Sequence, residues 1–154
     1  MQKKIFLVLF FLFLTSCGYE AIYSKKNAMN YNFSISELNF IGNRDVNLKI
    51  KERLNNYTLN KKDKDFTIKI SSTSTKIIAA KDTSGDPTSF KNIVALNLEI
   101  IMNGKLKNNF VIAEGFSYNN NSDKFSLKKY EKEIRKNLAE TIADKIVLRL
   151  SNIQ

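Results

Sequence analysis

Leu14-Thr15-Ser16-Cys17 places the only cysteine of the chain directly behind small residues and an apolar run. A thiol there can take a lipid: a thioether to a diacylglyceryl group, formed before the leader is cut. Met1-Gln2-Lys3-Lys4 supplies the cationic start that such a leader needs. The run from Ile5 to Leu14 is about ten residues, half of the roughly 20 that span a bilayer as a helix. An ordinary secreted protein needs no cysteine at this point, and an uncleaved anchor would need a longer run. The reading is a leader over 1–16, with Cys17 as the first residue of a mature bacterial lipoprotein. Each buried CH₂ adds about 0.8 kcal/mol of membrane affinity, so several acyl chains on one sulfur hold firmly where a single chain does not. Those diacylglyceryl and N-acyl groups are the only covalent additions expected, and no separate cofactor is. Gly18 stands where Asp would retain an enteric-type lipoprotein at the inner membrane. It points to the periplasmic face of the outer membrane. With Cys17 acylated no thiol is left for a disulfide, so the fold must stand on its core, although the periplasm is oxidising.

Other reactive chemistry is scarce. The chain has no histidine, which removes the commonest general base and the commonest metal ligand together. No Cys/His cluster could hold zinc, and no glycine-rich loop could cradle a phosphate. The carboxylates sit among lysines, as in Lys61-Lys62-Asp63-Lys64-Asp65 and Glu131-Lys132-Glu133, which is the pattern of solvated charge. The expectation is a non-enzyme with no metal site. The formal charge of +10 allows an anionic lipid, a phosphorylated glycolipid or nucleic acid as partner. Outside the cytoplasm nucleic acid is not the expected partner. The chain is also rich in Lys, Asn and Ile, and part of the excess reads as lysine on ordinary solvated surface.

The elements follow from periodicity. Residues 17–33 read as the lipidated N-terminus and a tether, and 34–154 as a single domain. A short strand over 34–41 ends at Gly42-Asn43. Asn43 or Asp45 can cap a helix over 46–58, where Val46, Ile50, Leu54 and Tyr57 share one face. Phe66, Ile68 and Ile70 alternate with polar residues in a strand that continues to Ala79. Lys81 to Pro87 is the strongest break. In the strand over 89–102, Val94, Leu96, Leu98 and Ile100 line one face, while Ile93, Ala95 and Ile101 line much of the other. A strand apolar on both sides is covered twice. The second cover is either more of this chain or a partner protein, and in the partner case Ile93, Ala95 and Ile101 meet it. Asn103-Gly104 predicts a type I′ hairpin turn into a strand over 106–118. Leu127, Tyr130, Ile134, Leu138, Ile142, Ile146 and Leu150 mark an amphipathic helix over 126–150, a core cover in preference to a lipid-surface helix. The order β-α-β-β-β-α predicts an α+β two-layer sandwich, a four-stranded sheet with two helices packed on one face.

Several of these features together resemble the LPS-assembly lipoprotein family LptE, in its alphaproteobacterial form. They are the Leu14-Thr15-Ser16-Cys17 leader, the opening Gly18-Tyr19-Glu20-Ala21-Ile22-Tyr23, the Lys81-Asp82-Thr83 turn before a long strand, and the terminal helix from Asn137 to Leu150. Ile22 replaces the family's Leu before Tyr23. The resemblance covers nearly the whole mature chain. It implies a non-catalytic lipoprotein that inserts into and plugs the LptD β-barrel, so that lipopolysaccharide reaches the outer leaflet. It also implies lysines toward lipid A phosphates, which ammonium groups bind as point charges. Lys81 and Lys91, flanking the long turn, are the candidates, with ordinary solvated lysine as the alternative reading. The competing function is a lipid-binding or lipid-carrier lipoprotein working without a barrel. A carrier needs an apolar cavity of roughly 300 Å³ or more, here one lined by Leu96, Leu98, Leu138 and Ile142.

Overall fold

The computed structural model describes residues 31–153. The leader, Cys17 and most of the tether lie outside the described residues. The elements are β1 (Ser34–Gly42), α1 (Arg44–Leu54), a short 3₁₀ turn (Asn55–Tyr57), β2 (Asp65–Lys81), β3 (Pro87–Met102), β4 (Lys105–Asn119) and α2 (Lys124–Ser151). The strands form one sheet in the order β1-β2-β3-β4. β1 pairs with β2 in parallel through the crossover helix α1, and β2, β3 and β4 form an antiparallel meander. This is the expected two-layer α+β architecture, with both helices on one face.

The first helix stops earlier than its apolar spacing predicts. α1 ends at Leu54, and Tyr57 falls in the 3₁₀ turn. A step of three residues fits either geometry. The turn carries Tyr57 back over Phe33, with ring centroids 5.2 Å apart. Phe33, which the sequence reading leaves in the tether, is buried in the core.

Between the layers lie Ile35, Val46, Ile50, Phe66, Ile68, Leu96, Leu98, Ile100, Ile142, Ile146 and Leu150, all essentially closed to solvent. Burying each such side chain is worth about 2 kcal/mol. α2 makes this possible because buried residues recur along its 28 residues from Leu127 to Leu150. Its start is fixed by Asp123, whose carboxylate accepts from the backbone N–H of Phe125 (2.9 Å) and Ser126 (3.2 Å). Asn43, not Asp45, caps α1, accepting from Val46 N–H at 3.1 Å. In the β3–β4 turn Asn103 and Gly104 take φ of 53° and 71°, as a type I′ hairpin requires.

Gly42 lies where β1 must turn at once into α1. Its φ is +102°, and a Cβ there would fall 2.0 Å from the Ser72 carbonyl oxygen. The close approach is held by the Ser72 Oγ donating to Asn47 Oδ1 at 2.7 Å and by Asn43 N–H donating to Ser72 O at 3.2 Å.

Candidate functional site

The register divides β3 into two different faces. Val94, Leu96, Leu98 and Ile100 point into the core, and Ile93, Ala95 and Ile101 lie half-buried on the side away from the helices. That side is a broad surface on which neighbours are set by the pairing. Ala95 stands between Thr73 and Ala113, Ile93 between Thr75 and Gly115, and Asn97 between Ser71 and Val111. Among the described residues no second layer covers it. Val111 is 63 % exposed, and Leu106, Ile41 and Ile77 are also open to solvent. Small and hydroxyl side chains in the middle keep the surface low.

Lys91 belongs to this face. It sits between Ile77 and Ser117 in the sheet, and its aliphatic arm covers Gly115, where a Cβ would come within 2.8 Å of Lys91 Cε. Lys81 pairs with Pro87 at the tip of the β2–β3 hairpin and is exposed. The structure therefore does not bring the two lysines into one cluster. Neither has a carboxylate partner among the described residues. The tip itself is built by Asp82, whose carboxylate accepts from the N–H groups of Ser84 (2.9 Å) and Asp86 (2.8 Å).

Under the sheet, a polar cluster that sequence reasoning missed ties the first turns of α2 to β2, β3 and β4. Lys76 Nζ donates to Glu131 Oε1 at 2.6 Å and lies 3.7 Å from the Phe90 ring centroid. The Tyr118 hydroxyl donates to the same carboxylate oxygen at 2.9 Å. Asn92 Oδ1 is 3.5 Å from that hydroxyl, and Asn92 Nδ2 is buried without an acceptor among the described residues. Glu131, read as solvated from its lysine neighbours, is in fact buried. The available signal was its place on the inward stripe, four residues after Leu127 and three before Ile134. Tyr130, assigned to that stripe, is instead half exposed.

The electrostatics follow from these contacts. Burial pushes the Glu131 carboxyl up, but the hydrogen bonds from Lys76 and Tyr118 outweigh it, and the net shift is downward. Burial first, and then the bond to Glu131, raises the Tyr118 phenol. A depressed carboxyl stabilises the fold above its unfolded value and loses that contribution as pH falls through the folded value. Removing either partner has unequal cost. The Lys76 side chain is 38 % exposed and can turn to water, whereas that of Glu131 is 12 % exposed and cannot. Lys76→Met, which strands a carboxylate, is expected to cost about 2 kcal/mol at pH 7, against about 1 kcal/mol for Glu131→Gln. At pH 4 the Lys76→Met penalty shrinks as Glu131 takes a proton. Urea unfolding at both pH values measures this, and equal costs for the two variants would refute the asymmetry.

Among the described residues no group of three or more acidic or thiol side chains could hold a metal, and no helix is long and apolar enough to cross a membrane. The four core residues named for a carrier cavity are packed: Leu96, Leu98 and Ile142 are fully buried and Leu138 is 9 % exposed. A groove of about 260 Å³ beside α2 is bordered by Leu138 but not by the other three.

The fold is that of a class of solved bacterial lipoproteins. Rare lipoprotein B from Shewanella oneidensis is similar over 75% of this chain and 93% of its own, at 12% identity and a TM-score of 0.60. A minor lipoprotein from Acinetobacter baumannii is similar over 79% and 91%, at 12% identity and a TM-score of 0.61. An uncharacterized lipoprotein B from Nitrosomonas europaea is similar over 79% and 86%, at 11% identity and a TM-score of 0.54. At these identities the likeness shows the shared fold. By sequence, no family and no curated protein matches the chain.

Proposed function

We propose that this chain is an outer-membrane lipoprotein, anchored through acyl groups on Cys17, that partners and plugs an LptD-like β-barrel during lipopolysaccharide assembly. The observation that carries the reading is the pairing of a lipoprotein leader with a fold shared by solved proteins named as lipoproteins. The packed interior supports a barrel partner over a lipid carrier, which needs room inside the monomer. The open face of the sheet, with Ile93, Ala95 and Ile101 half-buried on it, suits contact with a barrel wall. Lys91, lying across that face, and Lys81 at the hairpin tip are the proposed contacts for lipid phosphates. The body itself carries no catalytic role.

The test is recovery from native outer membrane in mild detergent. The protein is expected to co-purify with a large β-barrel at a fixed ratio. Recovery as a free monomer at native expression would overturn the barrel reading. Recovery as a monomer with lipid bound inside would establish the carrier.

A further inference from the structure

The helix side of β4 holds a feature that the open face does not share. β4 is an edge strand of 15 residues, and among the described residues nothing pairs with its outer backbone. Long exposed edges are normally blunted by charge, proline or a bulge. Here Lys105 and Lys107 protect only one end. From Phe110 to Phe116 the sole charged residue is Glu114, which is neutralised by an ion pair with Lys145.

At the Phe116 end of this stretch lies the groove of about 260 Å³ already mentioned, lined by Phe116 of β4 and by Tyr130, Glu133, Ile134, Asn137, Leu138 and Thr141 of α2, with Glu133 paired to Lys136. α2 meets α1 with its other side, through the ion pair of Asp144 with Arg53. The groove therefore lies on the β4 side of the helix. A strand added to the edge would send every second side chain toward it.

We infer that the β4 edge and the groove beside it form an acceptor site for an extended segment of another protein, apolar at alternate positions and acidic near its end. Unpaired N–H and C=O groups are matched in full only by another strand, and the groove selects the side chains that enter. The acidic preference comes from cations at one end of the site. Arg149 lies 4.5 Å from the Phe110 ring centroid and Lys107 is exposed close by. A second copy of this chain would bring the same excess of 25 basic over 15 acidic residues, which disfavours self-pairing. The site stands independently of the barrel reading. A closed barrel wall has no free edge, so within that reading the segment would come from a loop or another chain.

The test uses the full chain in mild detergent. The probe is a short synthetic peptide alternating valine with threonine and carrying glutamate at its end. Two further versions are N-methylated, one at the valines and one at the threonines. In strand addition only one parity of amides meets β4. One methylated peptide is expected to lose at least about tenfold in affinity and the other to keep it, with amide shifts centred on β4. Thr141→Glu, an exposed change on the groove rim that sets a carboxylate against the peptide's glutamate, is expected to weaken the parent peptide about tenfold while leaving the unfolding midpoint unchanged. Equal binding of both methylated peptides would mean mere apolar adhesion and overturn the proposal. So would the absence of binding, or a dimer through β4 that the peptide fails to disperse.

Discussion

Replacing Cys17 with alanine is expected to abolish incorporation of labelled palmitate and to release the protein from the membrane fraction. The effect should be all-or-none because this is the chain's only thiol. No neighbouring residue can take over. Cys17→Ser should fail equally, since a hydroxyl at neutral pH lacks the thiolate nucleophile that forms the thioether. The loss is large because acyl chains add about 0.8 kcal/mol per buried CH₂, and nothing else on the described surface replaces that much apolar contact. Metabolic labelling with fractionation of the cells reads both effects. Label retained in the Cys17→Ala protein would refute the lipoprotein assignment and leave the fold untouched.

Gly42→Ala should be the most damaging single change inside the body, costing at least about 3 kcal/mol. Two effects coincide there. The backbone is at φ +102°, where an L side chain is strained, and the new Cβ meets a backbone oxygen at 2.0 Å. The obstacle is the Ser72 carbonyl in the middle of β2, so relief means moving one strand against another. Gly85 separates the two effects. Its φ is +90° but a Cβ there meets nothing within 4 Å, so Gly85→Ala should carry the strain alone, about 1 kcal/mol. Urea midpoints of the two variants give the difference. If they unfold together, the contact with Ser72 is not what makes glycine necessary.

These positions also show how far the residues alone reveal the structure. The terminal helix is legible because Ile134, Leu138, Ile142, Ile146 and Leu150 repeat at helical steps, and all are buried. The β3–β4 turn is legible because Asn103-Gly104 suits a backbone that few other pairs tolerate. The two faces of β3 are legible because alternation is local. What stays hidden depends on register between distant segments. Nothing near Gly42 announces Ser72, and nothing near Lys91 announces Gly115. Glu131 was misread by its neighbours in sequence, Lys132 and Glu133, when its true surroundings are Lys76 and Tyr118. The candidate surface was legible only as a list of apolar residues on β3. The edge and groove of β4 require knowing that this strand, and not another, is the last in the sheet.

The dependence of the core on α2 has a consequence for the order of folding. Ile142, Ile146 and Leu150 close the core, and they follow all four strands in sequence. A chain in which α2 has not yet docked displays a bare apolar sheet and cannot settle into its final shape. It stays pliable until that one helix closes over the strands.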